Sequence, residues 1–530
     1  MRVLGRPLHT EGIDSPRPAS QRAAALVLTA AMLTTLAAPA FADIWHIEDG
    51  DITVKASGTE GKNTVSQGNK KDVEDTDTII TNREDKASSN TVTIEAKDKD
   101  DKVEVTLKDV NIDTSSRNKA AVSVTGSGNT TIKLDGDNAL KSDIYRSGIY
   151  GSGSGSLTIS GGENDSLTAQ GGSGANGISS SGSLTISGGT VTANGDDGGR
   201  GISSSGSVTI SGGSTVTANG GSGTISGGDG IWSGGGVTIS GGSTVTANGG
   251  NGGSLVGGDG IRSGGGLTVS DGTVTAKGGN GDSKDGYGGD GIRSGGVVTI
   301  SGNTVNAAGG YGGKVGGYGI CSFDRVAISG GTVEAAGGNG STGGGSGIYS
   351  SVIDLSGSLE LTAKAGSPTG KALLQNGREL DLDTIKDKLG PGAKVTATDA
   401  DGKVIDQVST PRPVEPEESS SSSDGGSAAP SAPASPLPGL TVTDKDGQRI
   451  SYTSTQSGNT LTVCVGRFTA SFRISLAALR QLRAEGIETI AFQTILCSTT
   501  LSLDELLAMG GEDAEAVLTH RFTDSSLTVG

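Results

Sequence analysis

The chain has 530 residues, of which 94 are glycine and 3% are aromatic, and its formal net charge is −17. This acidic balance argues against nucleic acid and anionic membrane surfaces as partners, because both would repel it. The hydrophobic fraction of 32% is low for one large core. We therefore expect burial to come from the repetition of small apolar surfaces.

The N-terminus predicts a secretory signal peptide over residues 1–42. An apolar run at 23–38 follows Arg22 and precedes Ala40-Phe41-Ala42, a typical cleavage site. The run is too short and too rich in alanine and threonine for a transmembrane span, so we expect no membrane insertion. Four arginines and two acidic residues leave with this segment, so the mature part keeps 37 basic and 56 acidic residues, a formal charge of −19.

The next region, up to about residue 147, shows short stretches of alternating apolar and polar residues. These stretches predict irregular first coils of a solenoid, with polar loops near Lys70 and Lys99. They are found at residues 44–54, 78–81, 91–95, 103–113, 121–124 and 131–134.

Residues 148–366 contain a repeat that begins with a Gly-Ile pair and has a step of 24 to 31 residues. Each pair is followed by a Gly/Ser turn, an apolar-Thr-apolar triplet, SGG and a TVTA-like strand. Such a step has room for about three short strands and no helix, which predicts an all-β parallel β-helix. The pairs begin at Gly148, Gly177, Gly201, Gly230, Gly260, Gly291, Gly319 and Gly347.

Alternation within each repeat predicts three inward-facing columns of aliphatic side chains. The first column is the isoleucine of each Gly-Ile pair. The second column is Leu157/Ile159, Leu184/Ile186, Val208/Ile210, Val237/Ile239, Leu267/Val269, Val298/Ile300 and Val326/Ile328. The third is Leu167/Ala169, Val191/Ala193, Val216/Ala218, Val245/Ala247, Val274/Ala276, Val305/Ala307, Val333/Ala335 and Leu361/Ala363.

The C-terminal part loses the repeat. We assign residues 43–406 to the β-helix domain, with 367–406 as a cap that includes a short helix near 380–389, and 407–439 to a Pro/Ser-rich linker. Residues 440–530 predict a small α+β module with a helix after Ser475 and a capping box at Ser502 and Glu505. Cys464 and Cys497 of this module could pair, although their spacing is not diagnostic, and Cys321 would be left over.

Three stretches carry a resemblance to a known family: IWHIEDGDITV at 44–54, VTLKDVNID at 105–113 and AVSVTGSGNTTIKLDGDNALKS at 121–142. They resemble the secreted clostridial carbohydrate-binding β-helix family, and the resemblance covers roughly residues 44–366. It implies a right-handed, pectate-lyase-like fold, calcium binding, and cellulose-like or acidic pectic polysaccharides as partners. It also implies secretion or surface display by a Gram-positive bacterium.

The residue after each Gly-Ile pair should face solvent, because the isoleucine faces inward. In this column Trp232, Arg262 and Arg293 fall on successive coils. An indole beside two guanidinium groups suits a sugar ring and uronate carboxylates, so these three are candidate carbohydrate-binding residues. The alternative is a cation–π contact on an ordinary surface.

One column earlier stand Asp229, Asp259 and Asp290, each in the text Gly-Asp-Gly-Ile. Stacked carboxylates repel each other, and a bound Ca²⁺ would relieve the repulsion, which makes them candidate metal ligands. The alternatives are that the loops splay apart, or that Asp259 and Asp290 pair with Arg262 and Arg293.

Outward-facing threonines form a further set at Thr190/Thr192, Thr215/Thr217, Thr244/Thr246 and Thr273/Thr275. The pattern resembles the flat face of ice-binding solenoids. Threonine is also an ordinary solvent-facing strand residue, and the array breaks at Asn306 and Glu334.

The sequence therefore predicts a secreted protein that binds polysaccharide without cleaving it. Its three histidines, His9, His46 and His520, form no recognisable metal or catalytic motif. One alternative is an adhesin or spacer whose solenoid projects the C-terminal module towards the cell envelope or a protein partner. Another is a calcium-dependent polysaccharide lyase with Arg262, Arg293 or Lys277 as its base.

Overall fold

The protein is described by a computed structural model that covers residues 43–59, 61–411, 439–443, 449–450, 452–457, 459–465, 470–494, 498–509, 514–520 and 525–529. The predicted signal peptide and most of the predicted linker lie outside the described residues. The chain divides into two compact units, Met1–Pro416 and Glu417–Gly530, and each is considered by itself.

The first unit is a parallel β-solenoid of about 13 turns, which confirms the predicted fold class. In the repeat region each turn contributes one strand to each of three stacks, which we call sheets 1, 2 and 3 in the order in which the chain visits them after a Gly-Ile pair. In the repeat region equivalent residues of successive turns lie side by side: Ile178, Ile202 and Ile231 are register partners in sheet 1.

Sheet 1 is built from Ile52–Ala56, Val92–Ala96, Val122–Gly126, Ile149–Gly151, Ile178–Ser180, Ile202–Ser204, Ile231–Ser233, Ile261–Ser263, Ile292–Ser294, the first residues of the long strands Ile320–Ala336 and Ile348–Lys364, and Leu373–Gln375. Sheet 2 is built from Ile44–His46, Ile79–Thr81, Lys102–Lys108, Asn129–Asp135, Leu157–Ser160, Leu184–Ser187, Val208–Ser211, Val237–Ile239, Leu267–Val269, Val298–Ile300 and the middle of the two long strands. Sheet 3 is built from Asn111–Asp113, Asp137–Lys141, Ser166–Ser173, Thr190–Asp196, Thr215–Asn219, Ser243–Asn248, Gly272–Lys277, Thr304–Ala308, the last residues of the two long strands, and Lys394–Thr398.

The core is made of the three predicted columns, and every one of their residues is buried. Val216, Val245 and Val274 illustrate the arrangement, since each lies beside the next in the sheet 3 register. Full burial of such a side chain contributes about 1.5–3 kcal/mol. The alanine two residues further on faces the same way and keeps the interior narrow at that corner.

A column of buried serines, which was not predicted from the sequence, lies at the ends of the sheet 1 strands. Ser233 donates its hydroxyl to the Gly206 carbonyl at 2.9 Å, and Ser263 donates to the Gly235 carbonyl at 3.0 Å. Ser204, Ser294 and Ser322 repeat this bond to the preceding coil. Because each hydroxyl is satisfied, the inward polar column costs little to bury.

Both ends of the solenoid carry antiparallel strands. At the N-terminal end Asn63–Gln67 pairs with Ile52–Ala56, and Lys70–Asp75 pairs with Asn63–Gln67 in turn. A turn at Gly68 and Asn69 lies where we predicted a polar loop near Lys70, but Lys70 itself begins a strand, whose charged side chains suit an exposed sheet edge.

At the C-terminal end Arg378–Glu379 pairs with Leu373–Gln375, and Val404–Ser409 pairs with Lys394–Thr398. The predicted short helix is a 3₁₀ helix, Leu382–Lys388, and a second 3₁₀ helix near the N-terminus spans Ile47–Asp49. Sheets 1 and 3 thus continue for one more strand beyond the point where the sequence repeat ends.

Glycine-rich connections from sheet 3 to sheet 1 form a second stack beside the core, which we call the flange: residues 220–228, 249–258, 278–289, 309–317 and 337–345. Gly250 donates its N–H to Gly228, Gly258 to Gly250, and Gly279 to Gly258, each at 2.8 Å. A Cβ on Gly250 would lie 2.1 Å from the carbonyl oxygen of Gly221. Backbones this close leave room for glycine alone.

The flange can be tested by substituting a glycine where the packing is tight. A Cβ at Gly258 would lie 1.9 Å from the carbonyl oxygen of Gly228, so we expect Gly258→Ala to force neighbouring coils apart and to cost about 1–3 kcal/mol. At Gly343 the nearest atom to a Cβ is 3.5 Å away, so Gly343→Ala is the matched control and should unfold like wild type. Thermal unfolding followed by circular dichroism compares them. Equal melting temperatures for the two variants would contradict the packing argument.

The second unit is a small α+β module, as predicted. Its strands form two four-stranded sheets, one with Leu440–Thr443, Ala470–Ser475, Glu515–His520 and Ser525–Val529, the other with Thr453–Ser457, Thr460–Cys464, Thr489–Gln493 and Ser498–Ser502. Helix α1 spans Leu476–Ala484 and helix α2 spans Leu503–Ala508. Ser475 and Ser502 cap these helices by accepting the backbone N–H of Ala478 and Glu505. Cys497 lies outside the described residues, so its pairing with Cys464 stays a prediction.

Candidate functional site

The three candidate carbohydrate-binding residues lie side by side on the outer face of sheet 1. Trp232 pairs with Arg262, and Arg262 pairs with Arg293, in the register of successive coils. Neighbouring strands are about 4.8 Å apart, so the three side chains form one continuous row. Arg262 is exposed, while Trp232 and Arg293 are half-buried.

The indole of Trp232 packs against an arginine that the sequence analysis missed. The guanidinium carbon of Arg200 lies 4.4 Å from the centroid of the Trp232 ring, and Arg200 Nε lies 3.2 Å from Asp229 Oδ2. The cation–π contact that we considered as the alternative is therefore present, but it involves Arg200 rather than Arg262. The available signal was that Arg200 occupies the position of Asp229 in the preceding repeat.

Aromatic rings extend the row at its other end. The guanidinium carbon of Arg293 lies 5.2 Å from the centroid of the exposed Phe323 ring. Tyr349, in the same column as Arg293, stacks on Tyr318 with ring centroids 5.0 Å apart and an angle of 17°. We call Arg200, Trp232, Arg262, Arg293 and Phe323 the strip.

Two positions of this column are not exposed as expected. Ser203 and Cys321 are buried, because each lies beside a bulky neighbour on the next coil, Trp232 and Tyr349 respectively. Burial raises the pKa of the Cys321 thiol well above its usual range, which keeps it protonated. This column of sheet 1 therefore exposes its large side chains and buries two of its small ones.

The candidate metal ligands form a buried ladder directly before the strip. Asp229 Oδ1 accepts the Asp259 N–H at 2.9 Å, and Asp259 Oδ1 accepts the Asp290 N–H at 2.7 Å. Asp290 Oδ1 in turn accepts the Tyr318 N–H at 2.7 Å. Asn176 makes the same bond to the Arg200 N–H at 2.8 Å, which shows that the position needs an acceptor rather than a charge.

Arginines neutralise the two ends of the aspartate ladder but not its middle. Asp229 pairs with Arg200, and Asp290 pairs with Arg293 at 3.4 Å. The predicted pair of Asp290 with Arg293 is thus observed, whereas that of Asp259 with Arg262 is not seen among the described ion pairs. Burial raises the pKa of Asp259 to about 8, helped by the adjacent carboxylates of Asp290 and Asp229, and burial raises that of Asp290 to about 6.

The role of these aspartates as calcium ligands stays a prediction. One oxygen of each carboxylate, Oδ1, accepts a backbone N–H of the next coil. Across the residues that the structure describes, no three acidic, histidine or cysteine side chains are arranged to hold a metal ion. Because the pKa of Asp259 is raised, proton uptake is another way to relieve the repulsion between these carboxylates.

The remaining sequence candidates lie on other faces. Thr190, Thr215, Thr244 and Thr273 form one outward row of sheet 3, and Thr192, Thr217, Thr246 and Thr275 form a second row that continues into Asn306 and Glu334. Lys277 also lies on sheet 3, in register with Asn248. The lyase alternative grouped Lys277 with Arg262 and Arg293, and the register does not bring it into their row.

Comparison with known proteins adds no family assignment. No family model matches the chain, and no curated protein or solved structure matches it either. None of the helices in the described parts of the chain combines the length and apolar character needed to cross a bilayer.

The ladder generates a pH-dependent prediction. Folding raises the pKa of the Asp259 carboxyl, so the folded state holds this proton more tightly than the unfolded state does. The resulting contribution to stability is fully present below the unfolded pKa and is lost as the pH rises through the folded pKa of about 8. In Asp259→Asn the amide oxygen can still accept the Asp290 N–H, as Asn176 does in its own coil. We expect the variant to be more stable than wild type at pH 8 by roughly 2–4 kcal/mol, and the gain to shrink towards pH 5.

Urea unfolding at pH 5 and pH 8 measures this difference. Asp229→Asn is the matched control, because it leaves the Arg200 guanidinium without its partner and should not stabilise. An Asp259→Asn variant that is less stable than wild type at pH 8 would show that the carboxyl is not buried as a protonated group.

Proposed function

We propose that the strip on sheet 1 binds polysaccharide without cleaving it. The observation that carries the proposal is the distribution of aromatic side chains. Between residues 101 and 411 the chain has eight of them, all on the outer face of sheet 1 or in the connections beside it: Tyr145, Tyr150, Trp232, Tyr287, Tyr311, Tyr318, Phe323 and Tyr349. The outer faces of sheets 2 and 3 carry none over this range.

The chemistry of the strip suits a sugar polymer. Aromatic rings offer flat apolar faces to the C–H surfaces of sugar rings, and guanidinium groups form paired hydrogen bonds to carboxylates. A chain that lies along the solenoid axis would meet an equivalent side chain about every 4.8 Å. Several weak contacts on one rigid row add up in the way that multivalent ligands require.

Charge favours an acidic polysaccharide. The protein as a whole is strongly acidic, yet the strip contains three arginines. Arg200 and Arg293 are held by Asp229 and Asp290, while Arg262 makes no ion pair with any residue that the structure describes. Arg262 is thus the natural partner for a uronate carboxylate, so we place pectate-like chains ahead of neutral, cellulose-like ones at this site.

The contacts proposed here need no calcium, because they come from the rings and guanidinium groups of the strip. The α+β module is proposed to hold a partner or the cell envelope, while the solenoid holds the glycan. Secretion and surface display belong to the same proposal and depend on the signal peptide at residues 1–42.

Affinity for polygalacturonate, measured by titration calorimetry and by migration in glycan-containing gels, tests the strip. We expect Trp232→Ala/Arg262→Ala to weaken binding at least tenfold, about 1.4 kcal/mol, because both a stacking face and the unpaired cation are removed. Thr215→Ala/Thr244→Ala, on the outer face of sheet 3, is the matched control and should bind like wild type. EDTA should change neither result.

Three outcomes would contradict the proposal. Unchanged affinity of the strip variant would move the site elsewhere, and loss of binding in EDTA would restore calcium. Ultraviolet absorbance from unsaturated uronides during incubation with pectate would identify a lyase. If no glycan is retained by the wild-type protein, the adhesin or spacer alternative replaces binding.

A further inference from the structure

A further aromatic ring stands in the same column of sheet 1 as Trp232, on the N-terminal side of the strip. Tyr150 lies beside Ser179 in the register of sheet 1, and Ser179 lies beside Ser203. Ser203 in turn lies beside Trp232. The residues on either side of Tyr150 in its strand are buried, so Tyr150 points outward, and it is 45% exposed. Tyr150 and Trp232 therefore share one face of the sheet, three coils apart.

The two coils between these rings carry small side chains. Ser179 is half-buried and Ser203 is buried, so neither projects as far from the sheet as a ring does. Three strand spacings separate Tyr150 from Trp232, which is about 14 Å, and four separate it from Arg262, which is about 19 Å. The outer face of sheet 1 is thus a low floor between two aromatic rings.

Backbone hydrogen bonds fix the spacing of the two rings. Each of these coils donates to the next at between 2.9 and 3.1 Å, from Ile149 N–H to the Gly177 carbonyl, from Ile178 N–H to the Gly201 carbonyl and from Ile202 N–H to the Gly230 carbonyl. The positions of Tyr150 and Trp232 are therefore set before a ligand arrives. Little ordering of the site opposes the binding of a ligand that contacts both rings.

A cation accompanies Tyr150 on its coil. Arg146, in the connection that enters the Tyr150 strand, is exposed. Its Nε donates to Asn118 Oδ1 at 3.2 Å, and it makes no ion pair with any residue in the described part of the chain. This coil thus offers an aromatic ring and an exposed guanidinium group, the two kinds of contact of which the strip is built.

We infer that Tyr150 is a second stacking site for the glycan chain bound by the strip, and that the protein therefore selects long polymers over short oligosaccharides. The inference rests on the proposed function and adds the direction and the length of its ligand. A chain that lies on Trp232 and runs parallel to the solenoid axis reaches Tyr150 after about 14 Å. This second contact is intramolecular, so it adds affinity without a second loss of translational freedom. A short oligosaccharide contacts one ring only.

Titration calorimetry with oligogalacturonides of defined length tests the inference. We expect Tyr150→Ala to bind a decamer at least about fivefold more weakly than wild type does, because a stacking contact is removed, and to bind a trimer like wild type. Tyr150→Phe keeps the ring and should bind both ligands like wild type. Tyr311→Ala is the matched control, since Tyr311 is 47% exposed but lies on the flange, outside the column. Circular dichroism checks that each variant is folded.

The contrary results are distinguishable from one another. If the decamer binds Tyr150→Ala as tightly as wild type, Tyr150 does not contact the chain, and the inference fails while the proposed function stands. If the trimer and the decamer lose affinity equally, Tyr150 belongs to a single short site and does not select for length. If neither ligand nor polygalacturonate binds the wild-type protein, the proposed function fails and the inference fails with it.

Discussion

Parallel in-register stacking is the constraint on which the rest of the first unit depends. Each residue of a hydrogen-bonded coil lies about 4.8 Å from the equivalent residue of the next coil, so residues at the same position of the repeat are direct neighbours. For aliphatic residues this is favourable, and Val216, Val245 and Val274 simply extend one buried column. For charged residues it is costly, because like charges are stacked as well. Each position of the repeat must therefore hold a residue that can pack beside the equivalent residues of the neighbouring coils.

The aspartate ladder shows how that cost is met. Asp229, Asp259 and Asp290 are stacked in a buried column, yet each supplies an acceptor for a backbone N–H that would otherwise be unsatisfied. Arginines pair with the outer two, and burial raises the pKa of the middle one to about 8. The guanidinium groups drawn in by the ladder are the same ones that flank Trp232 and Phe323. The strip is thus partly a consequence of the ladder, which positions Arg200 and Arg293 from beneath.

The features shared by all repeats could be predicted from the sequence, whereas the contacts specific to single repeats could not. The repeat spacing was enough to predict the aliphatic columns, the three sheets and the adjacency of Trp232, Arg262 and Arg293. In-register stacking places residues that are one repeat apart in sequence side by side in the structure. The contacts of Arg200 and Phe323 did not follow, since they depend on side-chain direction across a corner. The strand at Lys70–Asp75 was missed for a related reason: it pairs antiparallel at the end of the solenoid, outside the repeat that guided the prediction.

The flange shows why the chain needs glycine outside its turns. Gly250 and Gly258 are required by close approach of backbone to backbone. A stack of this kind carries its larger side chains at its outer edge, among them Ile225, Leu255, Tyr287 and Tyr311. Hydrogen bonds between successive coils hold this edge, so a side chain on one coil has a fixed position relative to the side chains of the next. In-register stacking thus determines the outer surface of the solenoid as well as its core.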